Sequence, residues 1–109
     1  MGFTYIESEP LTAITLAVKD GYTGYIETKP LHGSQTRFST EEQKRLHKKY
    51  STFTGYTFYG LELKPNREFY NMIYRNGDNI LLVGPKPIRD KMVYELESVL
   101  RRIKSIQEE

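Results

Sequence analysis

The segment PLHGSQ, residues 30–35, places an imidazole, a hydroxyl and a side-chain amide within four positions. If the segment is a strand, His32 and Ser34 point to the same face, because residues two apart share a face of a sheet. A hydroxyl beside an imidazole can act as nucleophile and base when a third group orients the imidazole. A carboxylate elsewhere in the chain, such as Glu27, would have to be that third group.

The same residue types also suit a structural role at the entrance of a strand. Pro30 lacks a backbone donor and Gly33 permits a bend, so His32 and Gln35 could hydrogen-bond the backbone groups left unpaired there. The sequence has no cysteine and only two, well-separated histidines. We therefore expect no catalytic residue, no metal and no cofactor. We interpret His32, Ser34 and Gln35 as structural residues or as contacts to a ligand or another domain.

A second cluster of polar side chains lies in STEEQKRLHKKY, residues 39–50. Cations of this kind bind phosphate groups, and the aromatic residues that follow could stack on unpaired bases. The alternatives are a solvated helix face and aromatic side chains that belong to the core. His47 is a poor metal ligand, because the cations around it would repel a metal ion. The candidate contacts to a ligand or nucleic acid are Lys44, Arg45, Lys48, Lys49 and Tyr50.

The composition excludes several classes of protein. The 109 residues fit one domain, and 38% hydrophobic with 28% charged residues is typical of a globular chain. A net charge of +2 does not by itself indicate nucleic-acid binding. No apolar run approaches the roughly 20 residues of a membrane span, and no signal peptide is visible. Because the absence of cysteine suits a reducing compartment, we expect a cytoplasmic protein without a membrane partner.

The first half of the chain predicts two strands and two short helices. TAITLAV, residues 12–18, alternates like a strand, with Ile14, Leu16 and Val18 on one face. A short helix follows and ends at Pro30, and LHGSQTRF, residues 31–38, is the second strand. Next comes a short, exposed helix, for which Thr40 is the expected N-cap and Gln43 completes a capping box.

The second half predicts two further strands, each followed by a helix. YTFYGLEL, residues 56–63, is the third strand, and REFYNMIYRNG is a helix capped by Asn66 and ended by a left-handed Gly77. The segment RNGDN does not have acidic residues at the intervals of a calcium-binding loop, so it is predicted to be a turn. ILLV is a strand apolar on both faces, so it should be covered on both sides. The final helix has Pro87 in its first turn and an apolar stripe formed by Met92, Leu96, Val99, Leu100, Ile103 and Ile106.

This order predicts an α+β fold: a ferredoxin-like βαββαβ antiparallel sheet with an extra C-terminal helix. The two main helices would cover one face of the sheet. The opposite face would be wet, covered by the C-terminal helix, or paired with another subunit. The apolar stripe of the last helix could pack on its own sheet, on a second copy of the chain, or on both.

Three segments in matching order resemble a known family. They are ITLAV with its short helix and IETKPLHGSQ, then FYGLELKPNREFYNMIYRNGDNILLVGP, then the helix PIRDKMVYELESVLRRI. Together they resemble the C-terminal extension (WCX) domain that follows the WYL domain in bacterial transcriptional regulators. The resemblance covers Leu11 to Ile106. The chain departs from it in the long connection between the second and third strands, which carries the basic helix.

The resemblance implies one part of a three-part regulator. Residues 1–10 would be a linker from a preceding WYL domain, and residues 11–109 the WCX-like regulatory domain. Such a module is non-catalytic and forms a homodimer. It helps to couple signal sensing by the WYL domain to DNA binding by a helix-turn-helix domain of the same full-length chain, through which nucleic acid is bound. No ligand-binding residue is carried over, because the residues that usually bind the signal lie in the WYL domain.

Two other functions remain open from the residues themselves. The first is a free-standing module that binds single-stranded nucleic acid through the basic-aromatic segment 40–59. The second is a small-ligand-binding domain of the ferredoxin-like class, or an enzyme, centred on His32 and Ser34. This last function requires both side chains to line a common pocket.

Overall fold

A four-stranded antiparallel sheet with the strand order β2-β3-β1-β4 organises the chain. The structure is a computed structural model that describes residues 11–106. The linker predicted for residues 1–10 lies outside this range. The strands are β1 (Thr12–Lys19), β2 (Thr36–Arg37), β3 (Tyr56–Leu63) and β4 (Ile80–Gly84). The helices are α1 (Thr23–Thr28), α2 (Thr40–Lys49), α3 (Arg67–Arg75) and α4 (Lys86–Lys104). The prediction of an α+β chain with an antiparallel sheet is confirmed.

The main core lies on one face of the sheet. The alternation in β1 turns its large apolar residues to this face, as predicted, together with alternate residues of β3 and β4. Helices α1, α3 and the start of α4 cover them with Ile26, Phe69, Ile73 and Met92. Asn66 caps α3 by accepting the Phe69 N–H at 2.9 Å, as the sequence predicts. Gly77, which follows this helix, has the expected positive φ of 58°.

A smaller core lies on the opposite face. Ala17 and Phe58 of the central strands and Val83 of the edge strand β4 are buried there against Leu46 of α2. The sequence predicted α2 as an exposed helix, and this is wrong: its apolar side is narrow, but it covers the sheet face. None of the three expected coverings of this face describes it, since α2 covers it and α4 packs its apolar Ile88 and Met92 on the main core. Because both faces are covered, β4 is buried on both, as its apolar run predicts.

Two local predictions in this region need correction. LHGSQTRF is not a strand along its length: only Thr36 and Arg37 pair with β3, and the residues before them form a turn. The N-cap of α2 is Ser39, not Thr40, because the Ser39 hydroxyl accepts the Glu42 N–H at 3.2 Å. The predicted capping box is absent, since the side chain of Gln43 bonds to β3 instead.

Helix α4 extends beyond the core that it helps to form. Its Met92 is buried and Ile88 is half-buried, but the rest of the predicted stripe is exposed. Leu96, Ile103 and Ile106 retain 50%, 58% and 67% of their accessible surface. The prediction that the stripe packs on its own sheet therefore holds only for its first turns. Between residues 11 and 106, no helix combines the length and apolarity needed to cross a membrane.

Candidate functional site

The PLHGSQ segment forms a hydrogen-bonded turn against β3. The Ser34 N–H donates to His32 Nδ1 at 3.1 Å, and the Ser34 hydroxyl lies 2.8 Å from the same nitrogen. Because a backbone N–H can only donate, Nδ1 is the acceptor, and the proton of the neutral ring is on Nε2. The Ser34 hydroxyl in turn accepts the Glu62 N–H at 2.8 Å. The His32–Ser34 pair thus fastens the turn to the sheet.

Gln35 fastens the same turn to α1. Its Oε1 accepts the Leu31 N–H at 2.8 Å, and its Nε2 donates to the Ile26 carbonyl at 3.1 Å. One bond satisfies the Ile26 carbonyl in the last turn of α1, and the other satisfies the Leu31 N–H in the irregular connection that follows. All three polar residues of the motif therefore hold the junction between the first helix and the second strand.

The structure does not assemble a triad around His32. Glu27, the carboxylate considered for that role, accepts bonds from the Tyr59 hydroxyl and, at 3.1 Å, from Arg37. The bond from Tyr59, followed by that from Arg37, lowers the pKa of Glu27 although burial opposes it. His32 is exposed and borders a shallow groove of about 560 Å³ beside α3, but Ser34 does not line this groove. The two side chains therefore lack the common pocket that a ligand site at this motif requires.

Helix α2 is held on the sheet by an amide and a leucine. Gln43 donates to the Phe58 carbonyl at 2.7 Å and accepts the Phe58 N–H at 2.8 Å, so its amide extends the ladder where β2 ends. Leu46 is buried one turn later, and the His47 ring packs edge-on against Phe58, with 4.8 Å between ring centroids. These contacts fix which side of α2 faces solvent.

The cations of α2 separate into different surfaces. Arg45 and Lys49, together with Tyr50, line a groove of about 540 Å³ on the α2 side of the sheet. Lys44 borders a different, more open depression beside Asp20. Lys48 is exposed and lines neither surface. The structure therefore brings only three of the five predicted contact residues together.

The aromatic residues after α2 pack mainly on one another. Tyr50, Phe53 and Phe58 have ring centroids 5.9 to 6.5 Å apart, and Phe53 also contacts Tyr56. Tyr59 is buried in the main core. Because these rings supply the smaller core, the segment 40–59 offers cations to a ligand but few free ring faces for stacking.

Two cations that the sequence did not suggest complete the groove. Lys86 and Arg89, in the first turns of α4, line it opposite α2. A signal for them is present in KPIRD: basic residues at the start of a helix are unusual, since that end of the helix dipole favours acids. What the sequence could not reveal is that α2 and the start of α4 border the same groove.

Within residues 11–106, no cluster of His, Asp and Glu side chains could hold a metal ion. No family model, curated protein or solved structure matches the chain. Its function must therefore be argued from its own surfaces.

Proposed function

We propose that the chain is a non-catalytic regulatory module that assembles with a second copy through α4. The observation that carries the proposal is the exposed apolar face on the second half of this helix. Six large apolar residues remain exposed between positions 93 and 106: Val93, Leu96, Val99, Leu100, Ile103 and Ile106. A contiguous apolar surface rimmed by charges is typical of an interaction site.

The spacing of this face suits another helix. Met92, Leu96, Val99, Ile103 and Ile106 follow one another at intervals of four and three residues, which is the heptad repeat of a helix pair. We pair two copies of α4 antiparallel, so that Leu96 of one copy meets Val99 of the other. Glu95 of each copy then lies beside Arg102 of the other copy. One set of contacts is thus repeated twice, as a two-fold symmetric interface requires.

The charges favour this orientation. Glu95 accepts a bond from the Tyr74 hydroxyl at 2.9 Å through one carboxylate oxygen, which leaves the other oxygen for the Arg102 guanidinium of the second copy. Burial, followed by this bond to Glu95, raises the pKa of Tyr74 to about 12. An exposed ion pair contributes at most about 1 kcal/mol, so it selects the orientation while the apolar residues supply the affinity.

The wider role follows from the resemblance to the WCX extension of WYL regulators. The fold we propose is ferredoxin-like. The order β2-β3-β1-β4 supports it, because in a split βαβ arrangement one strand separates the two strands that each helix connects. A signal bound by the WYL domain would favour one placement of the domains. This module would stabilise that placement through contacts made only in it.

Sedimentation of the 109-residue chain tests the assembly. We expect a dimer, and Leu96→Asp combined with Ile103→Asp should give a folded monomer. Arg102→Glu should weaken the dimer because it sets two carboxylates side by side, and adding Glu95→Arg should restore it. A wild-type chain that stays monomeric at about 1 mM would contradict self-assembly, since that corresponds to only about 4 kcal/mol of binding free energy.

The regulator assignment has its own test. Determining the coding sequence upstream of residue 1 in the native gene would show whether a helix-turn-helix and a WYL domain precede the module. If neither is encoded there, the assignment is wrong, even if the chain dimerises.

A further inference from the structure

The groove of about 540 Å³ on the α2 side of the sheet has a small, uncharged floor. The floor is formed by Ala13 and Thr15 of β1 and by Val83 and Gly84 of β4. Helix α2 forms one wall, and the start of α4 forms the other. The volume is within the range of sites that hold a small molecule.

Four cations stand around this floor. Arg45 and Lys49 come from α2, and Lys86 and Arg89 from α4. Among the described residues, no carboxylate lines the groove. Two of these cations are paired with acids outside the lining: Arg45 with Glu42 at 2.7 Å, and Lys86 with Asp90 at 2.6 Å. Four cations against these two carboxylates leave a positive field over the groove.

The two guanidinium groups are already positioned by the protein. Arg89 donates from Nη1 to the Val83 carbonyl at 2.9 Å, and Arg45 makes two bonds to Glu42, from Nε at 3.2 Å and from Nη2 at 2.7 Å. A side chain that is held before a ligand arrives loses less entropy on binding. The pKa of Arg45 is raised, chiefly by its bond to Glu42, so this guanidinium is charged at every relevant pH.

We propose that this groove binds a phosphate-bearing anion. Guanidinium groups match phosphate oxygens two at a time, and the lysines add point charges from both walls. Several cations around one small volume favour a ligand with several negative charges over a single carboxylate. The start of α4 adds to the field, because its N-cap residue, Pro85, provides no side-chain cap and no acid lies in its first turn.

The floor and walls also indicate how the ligand is recognised. Tyr50 is the one aromatic residue in the lining, and its ring already contacts Phe53 and Phe58 and lies 5.4 Å from Lys49 Nζ. A flat stacking platform for a base is therefore missing from the described lining. Recognition would rest on phosphate, whether the phosphate belongs to a free polyphosphate, to a nucleotide or to the backbone of a nucleic acid.

This inference does not rest on the proposed self-assembly. The groove lies at the first turns of α4, whereas the exposed apolar face occupies its second half. A monomer could bind the anion, and a dimer could form without it.

The experiment is titration calorimetry of the 109-residue chain with pyrophosphate, a nucleoside triphosphate and a short oligothymidylate, at about 50 mM and about 200 mM salt. The test variant is Lys49→Ala with Lys86→Ala, because both side chains line the groove and are exposed. The matched control is Lys44→Ala with Lys48→Ala, which removes the same charge from α2 outside the groove. We expect the test variant to lose about tenfold or more in affinity and the control about twofold or less.

The three probes distinguish the source of the phosphate. Binding of pyrophosphate or the triphosphate with this variant pattern supports a free phosphorylated ligand. Binding of the oligonucleotide alone, with the same pattern, supports the nucleic-acid backbone as the source. The proposal is overturned if no probe binds at low salt. It is equally overturned if the control variant loses as much affinity as the test variant, because the attraction then reflects total charge.

Discussion

The hydrogen bond from the Tyr59 hydroxyl to Glu27 joins the central strand β3 to α1. Burial, followed by the bond to Glu27, raises the pKa of Tyr59 to about 12. The same bond, assisted by Arg37, lowers the pKa of Glu27. This pair therefore stabilises the fold only while the phenol is protonated and the carboxylate is ionised.

Its contribution to stability should have two pH limits. The phenol's part is complete below its ordinary pKa of 10.0 and is lost as the pH rises toward about 12, because the unfolded chain then releases the proton more readily. The carboxylate's part is complete above its ordinary pKa of 4.5 and is lost as the pH falls below it. Urea unfolding across this pH range gives the free energy of unfolding of the wild type and of Tyr59→Phe. The difference between them should be largest at pH values between these two limits.

A second tyrosine provides the control for that experiment. Tyr74 also has a pKa raised to about 12, by burial and then by its bond to Glu95, so it adds its own alkaline loss of stability. Tyr74→Phe should remove part of the loss of unfolding free energy at alkaline pH. It should leave unchanged the loss at acid pH that comes from Glu27. If Tyr59→Phe has the same pH dependence as the wild type on both sides, the bond contributes no stability.

At the level of single residues, the sequence predicted local contacts better than distant ones. A role for Gln35 in bonding nearby backbone was predictable, since its partners Leu31 and Ile26 lie within nine positions. The bond from the Glu62 N–H to Ser34 was not, because it joins positions 28 apart and depends on how β3 lies beside the turn. His32 and Ser34 do meet as expected, but in a turn and not on a strand face.

At the scale of elements, the start of α2 can be tested by a pair of neighbouring hydroxyl residues. Ser39 accepts the Glu42 N–H and so satisfies one of the unpaired donors of the first turn. Ser39→Ala should reduce the free energy of unfolding by about 1 kcal/mol, as loss of an N-cap usually does. Thr40→Ala should change it by less than about 0.5 kcal/mol, because Thr40 is an exposed residue inside the helix.

Chemical denaturation of the two variants decides between the alternative caps. If the two variants lose equal free energy of unfolding, or if Thr40→Ala loses more, the N-cap is Thr40, the residue that the sequence favoured. Neither outcome changes the direction of Arg45 and Lys49, because Gln43 and Leu46 fix the rotation of α2 on the sheet.

The elements with strong periodicity were predicted, and those defined by partners were not. The central strands and α3 carry enough alternating or helical apolar residues to be recognised alone. Strand β2 is two exposed residues long and exists only because Thr36 and Arg37 pair with β3. Helix α2 buries the single Leu46, and the rings that complete its core follow it in the chain, so its own pattern resembles that of a solvated helix.

For the whole molecule, the two faces of the sheet have unequal cores, and α4 extends past both. The sequence predicted the apolar stripe of α4. It did not predict where along the helix the sheet ends beneath that stripe. The 19-residue helix is about 28 Å long, and only its first half lies on the main core. Folding of the single chain and burial of the stripe are therefore separate events.

Deletion of residues 99–109 separates these events experimentally. Among the residues described, this removes no buried side chain, so at low concentration the shortened chain should melt within a few degrees of the full one. At higher concentration the melting temperatures of the two chains should diverge. The full chain gains stability from association, by about 1.4 kcal per mole of dimer for each tenfold increase in concentration, whereas the shortened chain has lost most of the apolar face and should gain none.

Thermal melts at several concentrations, followed by circular dichroism, give both quantities. Melting temperatures that are independent of concentration for both chains would mean that the exposed face of α4 does not pair with a second copy. A shortened chain that melts far below the full one even when dilute would mean that the end of α4 stabilises its own domain. Both of these results describe a chain whose exposed helix face does not pair with a second copy. Assembly through α4 requires that the melting temperatures of the full and shortened chains agree when dilute and diverge as the concentration rises.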